Sequence, residues 1–103
     1  MDAFIVALAR VQLDPQLEHG RWGEYRPNHN FDGPINVGLL MGNMSIPEKQ
    51  KLEPGQPQEI RIEFIVPAEY VSRIQPGRQW IIQEGTKRVG RGEIIALDSC
   101  CFR

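Results

Sequence analysis

Breakers fall so often along this chain that few stretches between them exceed the length of a β-strand. Ten glycines and 8 prolines are spread through 103 residues, and no segment sustains an apolar period of 3.6 residues with caps at its ends. Apolar runs of strand length recur instead: Phe4 to Val11, Asn36 to Met41, Glu59 to Val66, Trp80 to Glu84 and Val89 to Leu97. The clearest is "QEIRIEFIV", in which Ile60, Ile62 and Phe64 alternate with Arg61 and Glu63 to give one buried and one wet face. About six such strands in a single domain over residues 1–103 imply an all-β protein, a small antiparallel six-stranded barrel, because closure removes exposed edges. The expected inward set is Ile60, Ile62, Phe64, Val66, Ile82 and Ile95.

Charge narrows the possible ligands. Twelve basic residues against 13 acidic ones give a formal net charge of -1, unlike the clear basic excess of a general polyanion binder. Any nucleic-acid site is then a local patch. The run "AFIVALA" near the N-terminus follows Asp2, lacks a basic flank and is far shorter than the ~20 apolar residues that span a bilayer. It reads as a buried first strand, with no membrane role. Cys100 and Cys101 are adjacent, so they cannot staple distant parts of this chain; with residues 98–103 they read as a C-terminal tail, and the compartment implied is the cytoplasm.

Signs of enzyme chemistry are sparse. "GPINVGLLMGNM" holds glycines but no lysine to reach a β- or γ-phosphate, so neither GTP binding nor any other nucleotide cofactor is expected. His19 and His29 show no metal-ligand spacing and read as solvated loop residues, leaving no metal site. Trp22, Tyr25, Phe31, Tyr70 and Trp80 stand near arginines and could stack on bases, although core packing is the commoner use of such rings. One stretch stands out. "EGTKRVGRGEII", Glu84 to Ile95, mixes glycines with three cations in an otherwise strand-like run. Glycine is poorly suited to a strand interior and marks a bend, a bulge or a close approach. Glu84, Gly85, Lys87, Arg88 and Arg91 are therefore the candidate binding residues, set against the plainer alternative of a solvated hairpin in which Arg91 pairs with Glu93.

Three blocks, "EYRPNHNF" (Glu24 to Phe31), "LEPGQPQEIRIEFIVP" (Leu52 to Pro67) and "RQWIIQEGTKRVGRGEI" (Arg78 to Ile94), resemble in order and spacing the C-terminal, third-domain β-barrel of elongation factor Tu. The likeness covers about residues 4–97, and its most specific part is the Glu-Gly turn leading into Val-Gly-x-Gly. It implies a stand-alone barrel in which Glu84, Gly85 and Lys87 match a turn that lies against the backbone of tRNA, and Gly90 and Gly92 match glycines that let the wall curve. Arg88 and Arg91 stand where that family commonly has uncharged residues, and the resemblance does not extend to a GTPase domain. Two functions follow as expectations. One is a non-enzymatic module that contacts RNA, tRNA included, or a translation component. The other is a small protein-binding partner, such as an immunity or inhibitor protein or an elongation factor mimic.

Overall fold

The computed structural model describes residues 2–31 and 39–102. Its strands are β1 (Asp2–Leu13), β2 (Gly23–Tyr25), β3 (Asn28–Asn30), β4 (Leu39–Ile46), β5 (Gln58–Pro67), β6 (Gln79–Glu84) and β7 (Lys87–Phe102). β1 shows how the alternation builds a wall. Ala3, Ile5, Ala7, Ala9, Val11 and Leu13 are buried, while Phe4, Val6, Leu8, Arg10 and Gln12 take the outer face. Every pairing between named strands is antiparallel, and the order β4-β3-β6-β7-β1-β5 returns to β4, closing a barrel of six strands. β2 adds a seventh strand on the outside of this circuit, against β4. Among the described residues, helix is confined to two 3-10 segments, Glu48–Gln50 and Ala68–Arg73.

Small and large residues share the interior. The three alanines of β1 leave room for Phe31, Phe64 and Trp80, which pack edge-to-face and stacked with ring centroids 5.0 to 5.9 Å apart. Burying each such ring contributes roughly 1.5 to 3 kcal/mol. Gly92 is required by this packing, because a Cβ there would lie 2.5 Å from atoms of the Trp80 indole. The β7 glycines thus serve the wall, as the sequence suggests: a Cβ on Gly90 would likewise meet the Gln12 carbonyl oxygen at 2.7 Å.

Five details differ from the sequence reading. Ile94, not Ile95, faces inward, because β7 bulges against β1 where Leu8 pairs with Ala96 and Ala9 with Ile94, leaving Ile95 as the extra residue. Ile60 is only half-buried against the core. β7 does not end at Leu97; residues 98–102 continue the strand, and Phe102 pairs with Ala3. β4 does not end at Met41 but continues to Ile46, since Gly42 is small enough to lie against His29 and Phe64. Of the run Asn36 to Met41, residues 36–38 lie outside the described residues. Finally, His29 is not solvated; it is fully buried in β3.

Candidate functional site

The candidate residues meet where β6 turns into β7. Glu84 pairs with Lys87 across a two-residue turn, Gly85 and Thr86, with Gly85 at φ +60°. That is the positive φ which two-residue hairpins demand at their first central position. No neighbour lies within 4 Å of where a Gly85 Cβ would stand, so backbone conformation, not crowding, selects glycine there.

A second bulge decides where the cations point. Gln83 pairs with Arg88 and Ile82 with Gly90, which leaves Val89 as the extra residue of β7. Val89 and Gly90 are both buried, and Arg88 and Arg91 are both exposed. Strict alternation would send two residues three apart to opposite faces of the wall. The bulge puts both on the outside, next to exposed Lys87.

Each arginine has a neighbour across the β1–β7 boundary. Arg88 Nε lies 3.6 Å from Asp14 Oδ2, and Arg91 Nη2 donates to Gln12 Oε1 at 3.3 Å. Gln12 in turn donates from Nε2 to the Gly55 carbonyl. Arg91 therefore meets Gln12, and the Arg91–Glu93 pair suggested by the sequence is not the contact formed. The Lys87 side chain makes no hydrogen bond or ion pair among the described residues, although its charge acts on Glu84.

Glu84 faces a different task. Arg21 grips its carboxylate with two hydrogen bonds, Nε to Oε2 at 2.7 Å and Nη2 to Oε1 at 3.0 Å, and the Tyr25 hydroxyl donates to Oε2. Arg21 also donates to the carbonyls of His19 and Gly20, which fixes the loop before β2 against the hairpin. The Arg21 hydrogen bond, with help from Tyr25 and nearby positive charge, holds the Glu84 carboxyl below its ordinary range. Burial first, and then the bond to Glu84, push the Tyr25 hydroxyl up. Both side chains stay in fixed protonation states near neutral pH: Glu84 ionised, Tyr25 protonated.

The arrangement is a clasped hairpin: a carboxylate folded back onto its own protein, and three cations on the outer surface. Sequence reasoning placed Glu84 among the ligand contacts, whereas its oxygens are taken up by Arg21 and Tyr25. It missed Arg21, Tyr25, Gln12 and Asp14 as supports. The partners of Glu84 lie 63 and 59 residues away in the chain, so no local spacing reveals them. Of the aromatic residues, Phe31 and Trp80 belong to the core, Tyr25 to the clasp, and Tyr70 is half-buried beneath the Arg73 guanidinium; Trp22 alone of the five is exposed, with Lys51 over its ring. Among the described residues no group of three or more His, Cys, Asp or Glu converges, and no helix is long and apolar enough to cross a membrane.

Fold and site together define a closed antiparallel barrel of six strands with a clasped basic hairpin. No family model matches the chain, and no curated protein matches its sequence.

Proposed function

We propose that this chain is a non-enzymatic binding module, of the kind the elongation factor Tu third domain exemplifies, which holds the phosphate backbone of an RNA such as tRNA through Lys87, Arg88 and Arg91. The observation that carries this reading is the Val89 bulge, which gathers onto one outer face cations that a regular strand would separate. Two further features support it. Glu84 is turned onto Arg21 and Tyr25, so the nearest carboxylate on the hairpin is already neutralised. The Arg88–Asp14 contact is loose at 3.6 Å and the guanidinium is about half exposed, so Arg88 keeps a face open to a phosphate. The cytoplasm, where folded RNA is abundant, is the compartment this reading implies.

A Lys87→Ala, Arg88→Ala, Arg91→Ala variant tests it. The wild-type protein is expected to bind a fluorescently labelled tRNA at low salt, and the variant, with an unchanged melting temperature, to lose most of that binding. Equal binding by the two proteins would overturn the assignment of the site. Failure of wild type to bind RNA, with salt-insensitive capture of a protein instead, would favour the protein-partner alternative.

A further inference from the structure

The other end of β1 presents a different surface. On the outer wall Met41, Ile65 and Phe4 stand directly opposite one another in the β4–β5–β1 register. Met41 is 71% exposed and Ile65 40% exposed, both large for apolar side chains on adjacent strands. Val6 and Leu8, outward and half-buried, continue the apolar strip along β1 where the outer face of a barrel is ordinarily polar. A pocket of about 380 Å³ opens beside the row and is flanked by two opposite charges, Arg26 and Glu63.

Those charges do not meet. Arg26 Nε donates to Asn43 Oδ1 at 3.3 Å, and Glu63 faces Asn43 across the β4–β5 ladder. Neither joins an ion pair among the described residues. Asn43 also donates to the carboxylate of Glu24, so one cation stands among two carboxylates and the patch offers no positive field to a phosphate chain. A strongly acidic protein meets two like charges there, and a strongly basic one meets Arg26. A copy related by a two-fold axis matches both, because every cation it presents has its anion on the same patch.

We propose that this wall is a self-association face: a second copy of the chain lays its Met41–Ile65–Phe4 row against the same row, and Arg26 of each copy meets Glu63 of the partner subunit. Five apolar side chains are few beside the roughly 20 to 30 residues per side of a standard interface. The dimer is therefore weak and concentration-dependent. The row at its centre lies away from the hairpin cations, since Phe4 and Gln12 are eight residues apart on β1, about 26 Å at about 3.3 Å per residue, while Leu8 at the end of the strip is four residues, about 13 Å, from Gln12.

Sedimentation velocity from micromolar to millimolar protein is the test, with melting temperatures confirming that each variant is folded. Wild type should pass from monomer to dimer. Ile65→Lys should remain monomeric. Arg26→Glu and Glu63→Lys should each weaken the dimer by about tenfold or more, since like charges then face each other twice. An equimolar mixture of those two variants should recover it, because both contacts are restored in the mixed dimer. A wild-type protein that stays monomeric throughout would overturn the proposal, as would a dimer indifferent to these substitutions or a mixture that fails to associate.

Discussion

His29 shows how much one buried side chain can determine. Trp80 Nε1 donates to its Nδ1 at 3.0 Å, which leaves the ring proton on Nε2, facing the Gly42 carbonyl at 3.3 Å. Phe64 packs edge-on against the ring at 5.1 Å. Neutral imidazole satisfies this site and imidazolium does not, because Nδ1 must accept. Burial lowers the pKa to about 4, from an ordinary value of 6.5. The unfolded chain binds the proton first, so the stabilisation is fully present above pH 6.5 and is lost as pH falls towards 4. At ~1.4 kcal/mol per pKa unit the loss amounts to roughly 3 kcal/mol by pH 4. Urea unfolding of wild type between pH 7 and pH 4.5 should show a falling midpoint, and His29→Gln should be less stable at pH 7 but nearly flat over the same interval. Parallel curves would contradict this account of the histidine. Glycine substitutions separate two causes at the same scale. Gly92→Ala forces a methyl group into Trp80 and is expected to cost about 1 to 3 kcal/mol by thermal or chemical unfolding. Gly85→Asn should cost less than about 1 kcal/mol, since space is open there and asparagine accepts a positive φ. If Gly85→Asn proved the more damaging of the two, packing at Gly92 would not be the constraint described.

At the scale of elements, strands that keep strict alternation were readable from their residues and strands that break it were not. β5 is regular over its central residues, and Ile62, Phe64 and Val66 are buried as its pattern dictates. β7 carries bulges, and each extra residue exchanges the faces of all that follow. That is why Ile95 was assigned inward in place of Ile94, and why the shared face of Arg88 and Arg91 could not be derived from spacing alone. β3 was hidden for another reason. Its residues, Asn28, His29 and Asn30, are polar, and His29 and Asn30 are buried only because Trp80, Gly42 and Gln83 satisfy their side chains. The candidate hairpin was legible as a turn with cations; the clasp beneath it was not. Its strength is open to a double-mutant cycle with Arg21→Ala and Glu84→Ala, for which a coupling of about 1 kcal/mol is expected from a partly exposed bidentate pair. Glu84 is ionised when bound, so this coupling is present above pH 4.5 and declines as pH falls through its lowered pKa. A coupling near zero at pH 7 would mean that the hairpin is held by its backbone alone.

On the scale of the molecule, closure does two things. Pairing of β4 with β5 removes the free edges of the six-stranded circuit, and it brings Met41 beside Ile65 on the outer wall. The barrel thereby separates two surfaces by the length of β1, one basic at the hairpin and one apolar at the start of the strand. The central claim concerns the basic one, and salt dependence interrogates it most directly. Each phosphate contact releases counterions, so three contacts predict that the logarithm of the tRNA association constant falls against the logarithm of salt concentration with a slope of about -2 to -3. Lys87→Ala, Arg88→Ala and Arg91→Ala should each make that slope shallower by about 0.7 to 0.9. A slope near zero for wild type, or an unchanged slope in all three variants, would contradict the claim that the hairpin holds a phosphate backbone.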